Sequence, residues 1–208
     1  MPKRSTAGPR PASTRGRPDQ REAILRAAAK TFAEKGVHAS TTREIADRAS
    51  MQSGSLYYYF ESKEDMAVDV VSVYLTDLIG QYERALATQQ SAVDLLRELF
   101  RLSLEITERH HDEVVILYQD WQILSATDES LPMQMDRVET IWCDVIEKGI
   151  ELGELRAEVE PRIAYRTIMG GISWVPRWYR HDGEFSLREI GAMQAEVILC
   201  GLRQPPRL

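Results

Sequence analysis

Glu108 and His111 stand three residues apart, a spacing that sets a carboxylate beside an imidazole on one helical face and serves di-metal chemistry in helical bundles. That chemistry needs a second Glu-x-x-His pair and two further carboxylates, and no second pair occurs in the chain. His110 and His111 are adjacent, so on a helix they diverge by about 100° and cannot close on one ion together. Near a helix end they suit its dipole or the lining of a ligand cavity. Cys143 and Cys200, the only two cysteines, are too far apart for a metal cradle or a disulfide framework and are expected as buried thiols. The sequence contains no Gly-rich phosphate loop, nucleophile elbow or zinc-enzyme motif, so no catalytic residue, metal or cofactor is predicted and the chain is not expected to be an enzyme.

Two other stretches carry the chemistry of binding. "SGSLYYYFESKED", residues 53 to 65, sets Tyr57, Tyr58 and Tyr59 side by side; three consecutive rings cannot all face a core on a helix, so at least one is presented outward. "GGISWVPRWYRHDGEFS", Gly170 to Ser186, groups Trp174, Arg177, Trp178 and Arg180 around Pro176, which removes a helical hydrogen bond and predicts a kink. A pocket lined by aromatics and mouthed by arginines suits a ligand with an apolar body and an anionic end, such as an acyl-coenzyme A. A solvated rim or a set of interface ion pairs would use the same arginines. Phe100, Leu104, Tyr118, Trp121 and Trp142 recur at helical spacings, which makes them core residues first and pocket candidates second.

The elements that must position these residues read as helices throughout, an all-α chain of about nine. Asp19 with Glu22 has capping-box spacing; Ile24, Ala27, Ala28, Thr31 and Phe32 then share a face, and Gly36 is a natural stop. Thr41 with Glu44 opens a short second helix, with Ile45, Ala46 and Ala49 inward, ending near Ser50. Leu56 and Phe60 define the buried side of a third, and Ser62 with Asp65 caps a fourth that runs to about Leu86. Ser91 with Asp94 opens a fifth, with Leu95, Leu99, Leu102 and Ile106 inward. A sixth is expected from about Asp112 to Leu124, a seventh from Pro132 to Ile150, an eighth from Pro161 to Tyr179, and a ninth from the Ser186/Glu189 capping box to Leu202.

Three short helices with a tight turn between the second and third form a helix-turn-helix. Counting about 100° per residue from Leu56, Phe60 falls near 40°, while Tyr57, Gly54, Tyr58 and Ser55 spread over the opposite side. Tyr57 and Tyr58 therefore point away from the core, where a ring can lie against a thymine methyl and a hydroxyl can reach a phosphate. Gly54 allows close backbone approach. Charge supports this placement. The net charge is −6, yet residues 1 to 60 hold 11 Lys/Arg against 5 Asp/Glu, and the remainder holds 15 against 27. Lys3, Arg4, Arg10, Arg15 and Arg17 occur in the first 18 residues with no acid, the pattern of a disordered basic arm suited to DNA or of a solubilising tail. No apolar run approaches a membrane span and the first thirty residues lack a signal-peptide core, so a cytoplasmic protein is expected.

The run "TTREIADRASMQSGSLYYYFESKEDM", Thr41 to Met66, resembles the DNA-binding signature of the TetR family of bacterial transcriptional regulators, and the likeness extends back to about Arg21. The resemblance implies an N-terminal three-helix reader, a larger helical ligand domain and a homodimer built from the last two helices, where Gly170, Gly171 and Ser173 would allow close approach. By position, Arg43, Ser53, Gly54 and Tyr57 fall where family members reach base edges, and Thr42, Ser55, Tyr58, Tyr59 and Lys63 where they hold phosphates. Gln52 departs from the small hydroxyl residue that often caps the reading helix, and Ser53 from a common Lys. "HHDEVVILYQDWQ", His110 to Gln122, together with the Trp/Arg segment, is similar to the subgroup of repressors that sense coenzyme A thioesters in fatty-acid and steroid breakdown. The expected organisation is an arm over 1–18, a helix-turn-helix domain over 19–62, and a ligand-binding and dimerisation domain over 63–208. The expected function is a ligand-released repressor on a palindromic double-stranded DNA operator. The alternative is a helical ligand-binding or protein-interaction module without specific DNA readout.

Overall fold

A computed structural model describes residues 16–88, 90–180 and 182–203; most of the basic arm lies outside them. Among the described residues ten helices follow one another: α1 (Gly16–Lys35), α2 (Thr42–Arg48), α3 (Ser53–Leu56), α4 (Lys63–Leu86), α5 (Ala92–Arg109), α6 (His111–Gln119), α7 (Trp121–Thr127), α8 (Ser130–Glu151), α9 (Pro161–Trp178) and α10 (Leu187–Leu202). Among the described residues there is no strand, only an isolated bridge between Leu155 and Arg203. No described helix is long and apolar enough to cross a membrane.

Local capping fixes most helix starts. The Thr41/Glu44 and Ser186/Glu189 capping boxes are both complete, and Ser62 and Ser91 accept from the amides of Asp65 and Asp94, satisfying donors that the first turn leaves open. Three expectations need correction. First, α1 begins at Gly16, ahead of the expected Asp19/Glu22 box; Pro18 is tolerated there because first-turn amides have no helical acceptor, and Glu22 pairs with Arg26 instead. Second, the count is ten because the expected sixth helix breaks at Asp120 (φ −113°, ψ 19°). The Asp120 amide closes α6 on Ile116, and its carbonyl accepts from Ile123 and Leu124 to open α7. Third, only Cys143 is a buried thiol; Cys200 lies exposed on the outer face of α10.

Helix α1 lies against α2, α4 and α6, while α5 runs through the middle of the larger part against α4, α8, α9 and α10. The face predicted for α1 is buried as expected, with Ile24 and Phe32 fully enclosed. One continuous apolar cluster runs from Ile24 in α1 to Leu199 in α10, so the head formed by α1–α3 and the larger part formed by the later helices share a core. Helix α4, 24 residues long and therefore about 36 Å from end to end, connects the two. At its far end Trp142 packs edge-on against Phe100 (5.4 Å) and Tyr82 (6.0 Å).

Candidate nucleic-acid interface and effector site

The surface expected to read DNA is built from the turn upward. After α2, Ser50 takes a left-handed φ of 56°; its amide bonds Asp47 and the Met51 amide returns to Ala46, which is the 6→1, 5→2 pattern of a Schellman stop. That turn delivers Gln52, which makes no side-chain cap, and the single turn of α3. Beyond Leu56 the chain continues in tight helical turns, with the amides of Tyr59 and Phe60 both returning to the Leu56 carbonyl at 2.9 and 3.1 Å. Leu56 and Phe60 are 0% and 4% exposed, against 59% for Tyr57 and 89% for Tyr58. The helical angle therefore gave the correct sides.

Ser53, Gly54 and Arg43 are also exposed, and Thr42 and Ser55 half-buried at the edge. A methyl added at Gly54 would meet nothing within 4 Å, so no contact among the described residues requires glycine there. Tyr59 is half-buried and packs against the core, which separates it from its two neighbours. Lys63 turns inward: its ammonium donates to the carbonyls of His38 (2.8 Å) and Ser40 (2.9 Å), tying the start of α4 to the α1–α2 connection and leaving one donor over. The mutual placement of α1 and α2 is reinforced by a bidentate Arg48–Glu34 pair (2.9 and 2.6 Å). The Lys35 ammonium, followed by the Thr41 amide and hydroxyl, holds the Glu44 carboxyl at about 2.

Two adjoining spaces lie in the larger part, sharing Val114, Tyr118 and Ser173 as walls. An outer cleft of about 400 Å³ opens between α6 and α9, lined by Val114, Val115, Tyr118 and Gln119 on one side and Ser173, Pro176 and Arg177 on the other. Behind it an inner space of about 20 Å³ is walled by α4, α5, α6, α8 and α9. The outer volume is of small-molecule size, whereas the inner one admits about one water. The inner wall is apolar (Leu75, Leu78, Leu117, Val138, Ile172) but carries the hydroxyl residues Tyr74, Tyr82, Ser103 and Thr107. Tyr82 and Ser103 oxygens lie 2.5 Å apart, and Ser103 donates to the Leu99 carbonyl. Burial pushes the phenols of Tyr74 and Tyr82 well up, and that of Tyr118 to about 12. Tyr118 keeps 42% of its surface open while bordering the cleft; its phenol, like the others, is a neutral donor at ordinary pH.

Of the nine expected ligand residues, these spaces bring together Tyr118 and Arg177. Arg177 lies over the Trp174 ring at 5.0 Å, and no carboxylate pairs with it among the described residues. Trp174 and Trp178 are exposed, and Arg180 pairs with Asp182 at 3.2 Å. Phe100 and Trp142 fill the packed core; Leu104 is wedged against α10, where a methyl on Gly191 would come within 2.9 Å of it. Trp121 is half-buried in α7. Pro176 sits in the last turn of α9. The hydroxyl residues were not singled out in the sequence, although Ser103 and Thr107, four apart amid the inward leucines of α5, carry the signal. His110 is held by Asp77 (3.2 Å) and Glu113 (3.7 Å), whereas His111 lies exposed beside Asp112. Helices α9 and α10 expose Ile163, Trp174, Met193 and Val197, and methyls at Gly170 and Gly201 would meet nothing within 4 Å.

Comparison with known proteins places this geometry. Residues 24–70 match the model for bacterial regulatory proteins of the tetR family, and residues 89–202 the tetracyclin repressor-like C-terminal domain. The chain is 36% identical to the HTH-type transcriptional repressor KstR2 of Mycolicibacterium smegmatis over 193 residues, 89% of this chain and 91% of that protein. It superimposes on the structure of the ketosteroid transcriptional regulator KstR2 of Mycobacterium tuberculosis with a TM-score of 0.83 and 31% identity, covering 93% of this chain and 97% of that one. The fold also matches AibR in complex with isovaleryl coenzyme A and operator DNA (TM-score 0.76, 18% identity, 86% and 97% covered).

Proposed function

The chain belongs to the TetR family of bacterial regulatory proteins, and from that premise we propose that it is a transcriptional repressor acting on DNA in the cytoplasm and released by a small effector. The observation that carries the DNA half is the group of Tyr57, Tyr58 and Gly54: exposed, without a structural task inside the protomer, and held at the end of a capped, ion-paired helix-turn-helix. Tyr57 with Arg43, Ser53 and Gly54 reads base edges; Tyr58 with Thr42 and Ser55 holds phosphates, with smaller parts for Tyr59 and Lys63. The unpartnered apolar faces of α9 and α10, with Gly170 and Gly201 open to close approach, form a homodimer interface. Two α3 turns then enter successive major grooves about 34 Å apart on a partly palindromic operator.

The effector enters between α6 and α9. An apolar body faces Val114, Tyr118 and the hydroxyl-bearing inner wall, and an anionic end meets Arg177 at the mouth, a combination that fits a coenzyme A thioester of a lipid or steroid fragment. The relatives named as ketosteroid regulators favour the steroid class. Because the inner space is too small for such a body, occupancy displaces α4, which carries the head, and shifts the population toward a head spacing that no longer fits the operator. The test is an operator titration on a duplex selected from a random library, with a panel of acyl- and steroid-type coenzyme A thioesters and their free acids. Release by a thioester and not its acid is expected. Binding with no sequence preference would overturn the repressor reading, and release by the free acid alone would overturn the thioester.

A further inference from the structure

The break between α6 and α7 is held by a residue 83 positions earlier in the chain. Asp120 is 9% exposed, and its Oδ2 accepts from the backbone amide of Val37 at 3.0 Å. No cation pairs with this carboxylate among the described residues. Its partner is the first amide beyond Gly36, whose φ of +79° turns the chain from α1 toward α2, and a methyl on Gly36 would come within 3.2 Å of Gln119. The Gln119–Asp120 corner therefore sits directly on the turn that leads into the DNA-reading head.

We propose that Asp120 is a positioning residue that couples occupancy of the α6–α9 cleft to the DNA-reading head, by a route separate from α4. Helix α6 lies between the cleft on one side and α1 on the other. Tyr118 and Gln119 line the cleft, and the next residue holds Val37. An occupant that moves α6 either draws the Val37 turn along or breaks a buried charge-assisted bond, which leaves a carboxylate and an amide both unsatisfied. The first course is favoured, so the motion is transmitted. From Val37 it passes at once to the reading elements. The Ser40 hydroxyl donates to the Gly36 carbonyl at 2.7 Å, Lys63 grips His38 and Ser40, and Thr41 caps α2. One short segment thus receives the signal from the cleft and sets the start of α2.

This inference rests on the reading that the effector occupies the cleft, and its test needs neither effector nor DNA. Ser173→Trp, from the α9 wall, fills the cleft with a tethered side chain. Amide hydrogen exchange over residues 37–43 is compared in the full-length wild-type protein, Ser173→Trp, Asp120→Ala and the double variant, with protection of α5 and α10 as the check on folding. Filling the cleft should raise exchange in this segment at least about five-fold in the wild-type background and by less than about two-fold once Asp120 is alanine. Asp120→Asn, which keeps an acceptor oxygen, should restore the response. Equal increases in both backgrounds would mean that the signal travels elsewhere, and no increase in the wild-type background would mean that the cleft and head are uncoupled; either overturns the proposal. If Ser173→Trp loses α5 protection, Val115→Trp from the α6 wall takes its place.

Discussion

Replacing Lys63 by methionine removes a charge but keeps most of the side-chain volume, so it isolates what the ammonium does. Its two hydrogen bonds, to the His38 and Ser40 carbonyls at 2.8 and 2.9 Å, are charge-assisted and sit where the start of α4 meets the α1–α2 connection. Such bonds contribute about 1.5–3 kcal/mol each in buried settings, and partial solvent access here reduces this to about 1 kcal/mol each. The part-buried Ser40 carbonyl also loses its strongest partner. The expected loss is about 2 kcal/mol, or a fall of about 4–8 °C in Tm for a chain of this size. Urea unfolding followed by circular dichroism at fixed protein concentration, with Lys63→Arg as a charge-preserving control, measures it. A loss below about 0.5 kcal/mol would refute the strut reasoning. If the salt dependence of operator binding also fell by about one ion, Lys63 would return to the phosphate role that the family resemblance implies.

Tyr57→Ala should weaken operator binding by about ten-fold or more while leaving unfolding free energy within about 0.5 kcal/mol, because the ring contributes little to the core; titration and urea melts on the same sample separate the two effects. Ser50→Gly relieves the left-handed φ of 56° in the helix-turn-helix and should stabilise the protein by about 0.5–1 kcal/mol, checked by thermal unfolding; a loss would show that the serine side chain is needed. His110, raised above its ordinary 6.5 by Glu113 and then Asp77, gains a stabilising charge in the folded state. That contribution is full below about pH 6.5 and is lost as pH rises through the raised value. Stability should therefore decline over this window in the wild type, and His110→Gln should remove that part of the slope in a pH series of urea melts.

The features legible in the sequence are those set by near neighbours. Thr41/Glu44 and Ser186/Glu189 announce their helices because a capping box is a four-residue device, and the outward aim of Tyr57 and Tyr58 follows from the helical angle alone. The break at Asp120 is not legible locally, because its carboxylate is answered by the Val37 amide, 83 residues away, and nothing within the stretch from 112 to 124 marks it. The ligand residues divide for a similar reason. Period and residue type cannot distinguish an apolar side chain that lines a cavity from one that fills the core, so Phe100, Leu104 and Trp142 look the same as Tyr118 in the sequence. The arginines followed the opposite logic: Arg177 reaches the cleft mouth, whereas Arg180, three residues on and past the end of α9, is spent on Asp182.

The apolar cluster that runs without interruption from Ile24 to Leu199 has a consequence for how the molecule comes apart. A head of three helices, one of them a single turn, encloses too little apolar surface to persist alone, and part of what it buries belongs to α4 and α6. Calorimetry should accordingly record a single endotherm, with no early transition for helices α1–α3. A proteolytic or genetic fragment ending before α4 should be unstructured, leaving the cell with a whole regulator or with none.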